Sequence, residues 1–253
     1  MNLGLEGTGC VVIGGSRGIG RAIALGLAAE GANVAICGRR EAPLDEAREA
    51  LAATGVTTFA RACDAGDPTA LAGFLTQARQ ALGGVSVLVH NASALALGPG
   101  LDDWDASLRV DLMAGVRACD QVIPWMAEAG GGSILLVSSI SGLEADPSPA
   151  LSYAAAKAAL IAHAKKLGVM LAPKGIRVNA LAPGSTEFEG GVWAHVREQQ
   201  PDLYAGVRAS IPAGRLATPE EIADVAVFLV SRRAGWVTGE CVSVDGGQHR
   251  GMR

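Results

Sequence analysis

Strict alternation constrains this chain more than any other feature. Short apolar, β-prone runs are separated by longer Ala- and Leu-rich stretches of helical spacing. The runs fall at 10–13, 33–37, 57–62, 85–90, 133–138, 177–182 and 241–244, the helical stretches at 19–29, 43–53, 68–82, 102–129, 152–171 and 219–229. Several runs are apolar throughout, as in Ile134-Leu135-Leu136-Val137, the pattern of a strand covered on both faces. Such alternation specifies the α/β class, a doubly wound parallel sheet with helices on both sides. With 253 residues and no Pro- or Gly/Ser-rich linker, a single domain over 1–253 is expected. Ligands of such sheets sit at the carboxyl ends of the strands, so function belongs just after each strand.

Composition narrows the classes. A net charge of −4 gives no basic footprint for nucleic acid. No apolar run approaches the length of a membrane span, and residues 1–10 lack the basic-then-apolar order of a secretory leader. The five cysteines form no C-x-x-C and read as small buried residues in a reducing compartment. His163 and His195 have no Cys or His at ligand spacing. The expectation is a cytoplasmic protein with no metal and with neither membrane nor nucleic acid as partner.

The first run leads into Gly14-Gly15-Ser16-Arg17-Gly18-Ile19-Gly20, and a helix follows at once. Glycines let the backbone turn tightly and approach a pyrophosphate, and the helix N-terminus supplies free N–H groups. Gly14, Ser16, Arg17, Gly18, Ile19 and Gly20 are therefore assigned to a dinucleotide. The second run ends in Cys37-Gly38-Arg39-Arg40, where an NAD site usually carries an acid for the ribose 2′-hydroxyl. Guanidinium groups suit a 2′-phosphate instead. Arg17, Arg39 and Arg40 thus favour NADP(H) over NAD(H).

After the fifth run comes Ser138-Ser139-Ile140-Ser141-Gly142, then Tyr153-Ala154-Ala155-Ala156-Lys157 at the start of a helix. Residues four apart share a helix face, so Tyr153 and Lys157 can meet at one site. A free phenol, with a pKa of about 10, is roughly 0.1% ionised at neutral pH. An ammonium nearby stabilises the phenolate by up to about 4 kcal/mol at an effective dielectric near 20. That brings a tyrosine toward the range of a general acid/base. A serine hydroxyl just past a strand can orient a substrate carbonyl.

With these features in place, the chain resembles the short-chain dehydrogenase/reductases over essentially its whole length. It is similar to oxoacyl-[acyl-carrier-protein] reductases among them. The resemblance is carried by Gly14 to Gly20, Cys63-Asp64, Asn91-Ala92, Ser139, Tyr153 with Lys157, Asn179 through Pro183-Gly184, and Val237-Thr238-Gly239 with Val244-Asp245-Gly246-Gly247. It implies a Rossmann fold and hydride transfer between NADP(H) and a carbonyl or secondary alcohol. Tyr153 would pass the proton, Lys157 would depress the Tyr153 pKa and bind the nicotinamide ribose, and Ser139 would hold the carbonyl. Asp64 would contact adenine, Asn91 would line the cofactor pocket, and Pro183 and Gly184 would lie near the nicotinamide. Relatives commonly form homotetramers by pairing two long helices, here 102–129 and 152–171. The second is apolar on more than one face, which a fully buried helix explains equally well.

Three positions depart from the family pattern. The asparagine of the proton relay is Asp111, whose charge could pair with Lys157 and weaken its effect on Tyr153. His90 replaces the first asparagine after the fourth run and reads as a packed or turn residue. Phe188 stands where the family places a threonine, and Thr186 is the substitute contact for the nicotinamide.

The stretch 185–215 interrupts the alternation and is expected to be a substrate lid. Phe188, Val192, Trp193 and Tyr204 there, with Leu95, Leu97 and Leu143 after other strands, suggest a small to medium, moderately apolar substrate. Two other readings stay open: a non-catalytic NADP sensor, and a serine hydrolase. Gly14-Gly15-Ser16-Arg17-Gly18 literally matches G-x-S-x-G, with His249 as a base.

Overall fold

The computed structural model describes residues 2–251. Seven strands form one parallel sheet: β1 (Gly9–Ile13), β2 (Asn33–Gly38), β3 (Thr58–Ala62), β4 (Val87–His90), β5 (Gly132–Val137), β6 (Ile176–Pro183) and β7 (Cys241–Val244). Their order is β3-β2-β1-β4-β5-β6-β7, every pair parallel. The chain runs outward from β1 to β3, then returns and builds away on the other side from β4. The reversal opens a crevice at the carboxyl ends of β1 and β4.

Successive strand side chains point to opposite faces, so each fully apolar strand feeds two interiors. Val11, Ile13, Leu88, Ile134 and Leu136 pack beneath α3 (Pro68–Leu82), α5 (Ala114–Glu128) and α6 (Leu151–Leu171). Cys10, Val12, Val87, Val89 and Leu135 pack beneath α1 (Gly18–Ala29), α2 (Glu41–Ala52) and α9 (Pro219–Val230). Cys10, Cys37, Cys63 and Cys119 are buried. Among the described residues, no helix is long and apolar enough to cross a membrane.

The structure differs from the sequence reading in two places that matter. The expected helix 102–129 is broken: α4 (Leu101–Ala106) passes into a π-helical segment, Ser107–Met113, before α5. A π segment shifts the side-chain phase and frees carbonyls, and here it turns Ser107, Val110 and Asp111 inward. The lid stretch is not one irregular loop. It holds α7 (Val192–Gln199) and α8 (Pro201–Ser210), a helical pair starting at Gly191 and restarted by Pro201. The broken amphipathic pattern of two short helices hid them.

Candidate active site

The turn after β1 is shaped by contacts that exclude side chains. Gly14 holds φ +80°, and a Cβ on Gly20 would lie 2.1 Å from the Gly14 carbonyl oxygen and 2.5 Å from Asn91 Nδ2. Asn91 Nδ2 donates to that carbonyl at 3.0 Å, and its backbone N–H donates to Ile13 at 2.9 Å. β1, β4 and the start of α1 are thus tied at the crevice, and the first-turn N–H groups of a helix have no partner within it. The cradle fits a dinucleotide pyrophosphate. The Phe188 ring lies over Gly18, at 2.5 Å from where a Cβ would stand, and Arg17 Nη1 donates to the Gly190 carbonyl at 3.0 Å. The segment after β6 therefore rests on the turn.

Arg17, Arg39 and Arg40 gather at the end of β2. The Arg17 guanidinium is pushed below its usual range, first by partial burial, then by the positive charges of Arg40 and Arg39. Three cations crowded together are a place for an anion. Asp64 accepts the Gly66 N–H at 2.9 Å and faces Arg109 at 3.4 Å, at the neighbouring strand end.

Beyond β5, Ser138 is buried, and its hydroxyl donates to the Lys157 carbonyl at 2.8 Å. This bond docks the loop carrying Ser139 onto the first turns of α6. Sequence reasoning passed over Ser138; the doubled serine at a strand end was the available signal. Ser139 is half-buried and accepts the Ser141 N–H at 3.2 Å. Tyr153 and Lys157 share one face of α6, with Lys157 Nζ 5.4 Å from the Tyr153 ring centre.

Lys157 is buried and held from two sides. Its Nζ donates to the Val137 carbonyl at 3.0 Å and lies 3.2 Å from Asp111 Oδ1. Asp111 is fully buried, and its Oδ2 accepts the Ala94 N–H at 3.0 Å. The two side chains form a buried ion pair at the heart of the site. The π segment supplies Asp111, and the Ser107 and Ser152 hydroxyls, 3.1 Å apart, join it to α6.

His90 is a packed residue, as its sequence context indicated. It is fully buried, and Nε2 meets the Asp111 carbonyl at 3.1 Å. Burial, then the Lys157 charge, pulls this imidazole from 6.5 down to about 4, against the raising effect of the Asp111 carbonyl and carboxylate. The folded protein therefore refuses a proton that the unfolded chain accepts. Stability from this group is full above pH 6.5 and falls as pH drops toward 4, by about 3 kcal/mol in all. In urea unfolding at pH 7 and pH 4.5, His90→Asn should lose less stability between the two than the parent. Equal losses would mean that His90 is not the coupled group.

Past β6, Thr186 is buried, and its hydroxyl donates to the Gly184 carbonyl at 3.0 Å. Glu187 accepts from Tyr204 at 2.7 Å and pairs with Arg197, which fastens α7 and α8 to the strand end. Ser16 and His249 are not brought together. Ser16 lies against Gly38, whereas the His249 ring is bonded to Asp245, next to Gly184. Sequence reasoning missed the Asp245–His249 pair, although its four-residue spacing was visible. Among the described residues, no three His, Cys, Asp or Glu side chains group as metal ligands.

Comparison with known proteins agrees with this geometry. The family described as enoyl-(acyl carrier protein) reductase matches residues 13–249. Isoepoxydon dehydrogenase patN of Penicillium expansum is 34% identical, covering 100% of this chain and 99% of its own. The 3-oxoacyl-[acyl-carrier-protein] reductase FabG of Escherichia coli is also 34% identical, over 98% of this chain and 99% of its own. A 7α-hydroxysteroid dehydrogenase, solved with NADH and 7-oxo glycochenodeoxycholic acid, superposes with a TM-score of 0.91 at 29% identity, covering 97% and 96% of the two chains. A Rossmann sheet with its glycine cradle, a Tyr–Lys pair on one helix face, and full-length relatives that are dehydrogenases and reductases lead to one conclusion: the chain belongs to the short-chain dehydrogenase/reductase family of oxidoreductases.

Proposed function

We propose that this protein is an NADP(H)-dependent reductase or dehydrogenase acting on the carbonyl or secondary alcohol of a small to medium, moderately apolar substrate. The observation that carries the reading is Tyr153 and Lys157 on one face of α6, 5.4 Å from ring to ammonium, beside the Ser139 loop. The bound nicotinamide would supply or accept the hydride. Ser139 holds the substrate oxygen, and Tyr153 gives it a proton in reduction or takes one in oxidation. Lys157 favours the phenolate by its charge and binds the nicotinamide ribose, while Asp111 offsets part of that charge. Gly14, Ser16, Gly18, Ile19 and Gly20 cradle the pyrophosphate, Asp64 and Asn91 flank the adenosine and the crevice, and Pro183, Gly184 and Thr186 border the nicotinamide. Residues 185–215 cover the substrate.

NADP(H) rather than NAD(H) is supported by the crowding of Arg17, Arg39 and Arg40. Arg39→Asp should move the NADP/NAD ratio of kcat/KM toward NAD by about a hundredfold, the loss of one charge-assisted pair plus repulsion by the new carboxylate. An unchanged ratio would remove Arg39 from cofactor choice. Assembly as a homotetramer is supported by α6, which is not fully buried. Leu151, Ala155, Ala158 and Ala162 are exposed along one stripe of it.

The test is NADPH consumption against a panel of ketones, β-ketoesters and quinones. Turnover supports the enzyme. NADPH binding without turnover there, or in an alcohol panel with NADP, would favour the sensor.

A further inference from the structure

The last strand runs into a segment that bridges the end of β6 and the loop after β5. At one end, Asp245 packs against Gly184, where a Cβ would meet the Asp245 Cβ at 2.7 Å. Gln248 then pairs with Ser185 through two bonds: its Oε1 accepts the Ser185 N–H at 2.8 Å and its Nε2 donates to Ser185 Oγ at 2.9 Å. At the other end, the Arg250 N–H donates to Glu144 Oε2 at 3.0 Å. Glu144 belongs to the loop between Ser139 and Tyr153. His249 therefore sits midway between the strand end at Gly184 and the loop that carries the serine.

Its ring is oriented. Asp245, itself only 8% exposed in its side chain, receives both the His249 backbone N–H, at 3.1 Å, and the ring Nδ1. The Gly247 N–H donates to the other oxygen at 3.0 Å. Partial burial raises the Asp245 carboxyl, but the hydrogen bonds from His249 and Gly247 outweigh it and hold the group below its usual range. A carboxylate at Nδ1 places the proton of a neutral imidazole there. Nε2 is then an acceptor, the His249 side chain is 14% exposed, and the ring's bond to Asp245 uses Nδ1 alone. A fixed acceptor beside a cleft, otherwise met by water, can take a hydrogen bond from a ligand hydroxyl in its place.

We infer that His249, oriented by Asp245, is a specificity-determining residue that accepts a hydrogen bond from a hydroxyl group on the substrate, remote from the reacting carbon. The inference rests on the proposed carbonyl chemistry and narrows it to hydroxyketones in reduction and diols in oxidation. A ketone with an ether oxygen at the same place offers no donor and gains nothing.

The test compares cyclohexanone with its 2-, 3- and 4-hydroxy and 4-methoxy derivatives, using NADPH. The parent should prefer a hydroxylated ketone to both the plain and the methoxy compound. In His249→Ala the ratio of kcat/KM, hydroxylated over plain, should fall about tenfold, mostly through KM, the effect of one lost hydrogen bond. His249→Gln, which carries an acceptor, should restore part of the ratio. A ratio that His249→Ala does not move overturns the inference. A second readout does not need turnover. In Tyr153→Phe protein loaded with NADP, the His249 Hε1 resonance should shift on adding a hydroxycyclohexanone and stay put with cyclohexanone. If no ketone is turned over by the parent, the carbonyl reading fails, and this resonance alone decides. A resonance that responds to neither compound overturns the hydroxyl contact.

Discussion

Tyr153→Phe is expected to lower kcat/KM for carbonyl reduction by about a thousandfold or more, the scale of a lost general acid, while NADPH still binds. The substitution removes one hydroxyl and keeps the ring. Lys157 keeps its partners, because they are Val137 and Asp111 and not the phenol. The glycine cradle, on the far side of the crevice, is untouched. Single-turnover rates and NADPH fluorescence titration separate the two effects. Residual activity above a tenth of the parent would mean that another group delivers the proton. A matching loss of NADPH affinity would mean that Tyr153 serves binding more than chemistry.

The second large effect belongs to Asp111. Removing one member of a buried ion pair leaves the other charge unpaired in the interior, at a cost of about 3–5 kcal/mol. Asp111→Leu should therefore lower Tm by roughly 10 °C for a chain of this size. Adding Lys157→Met should recover most of that loss, since a buried pair is often replaced by apolar groups at little cost. A double variant no more stable than Asp111→Leu would deny the coupling. Asp111→Asn asks a gentler question, because an amide still accepts the Ala94 N–H. In the proposed mechanism Tyr153 takes a proton in oxidation and gives one in reduction, so the Asp111 charge would bear on the two directions differently. Asp111→Asn should change the pH profile of oxidation and alter reduction less. An identical profile would place Asp111 outside the chemistry, and a larger effect on reduction would contradict that order.

Most of the fold was legible because its strands are buried on both faces. That burial forces the continuous apolar runs from which all seven strands were read to within a residue or two. Tyr153, Lys157 and the glycine turn were legible for a related reason. Their placement, two side chains on one helix face and a turn between strand and helix, depends on local spacing, which a sequence displays directly. What stayed hidden depends on phase or on distant partners. The π segment keeps helical composition while rotating Asp111 inward, so the pattern around it still reads as one helix. α7 and α8 are too short to show a clear period. The Ser138–Lys157 bond and the Gln248–Ser185 pair join residues 19 and 63 positions apart, and no local pattern announces them.

The sheet also acts as a partition. Each face has its own apolar interior, one under α3, α5 and α6 and the other under α1, α2 and α9, with strand side chains alternating between them. Substitutions in separate interiors share no side-chain partner, and changes without shared partners add nearly independently. Evolution can therefore repack the α1/α2/α9 compartment without disturbing the one that seats α6. A lineage of such proteins can drift in stability through one compartment while the helix bearing Tyr153 and Lys157 keeps its bed.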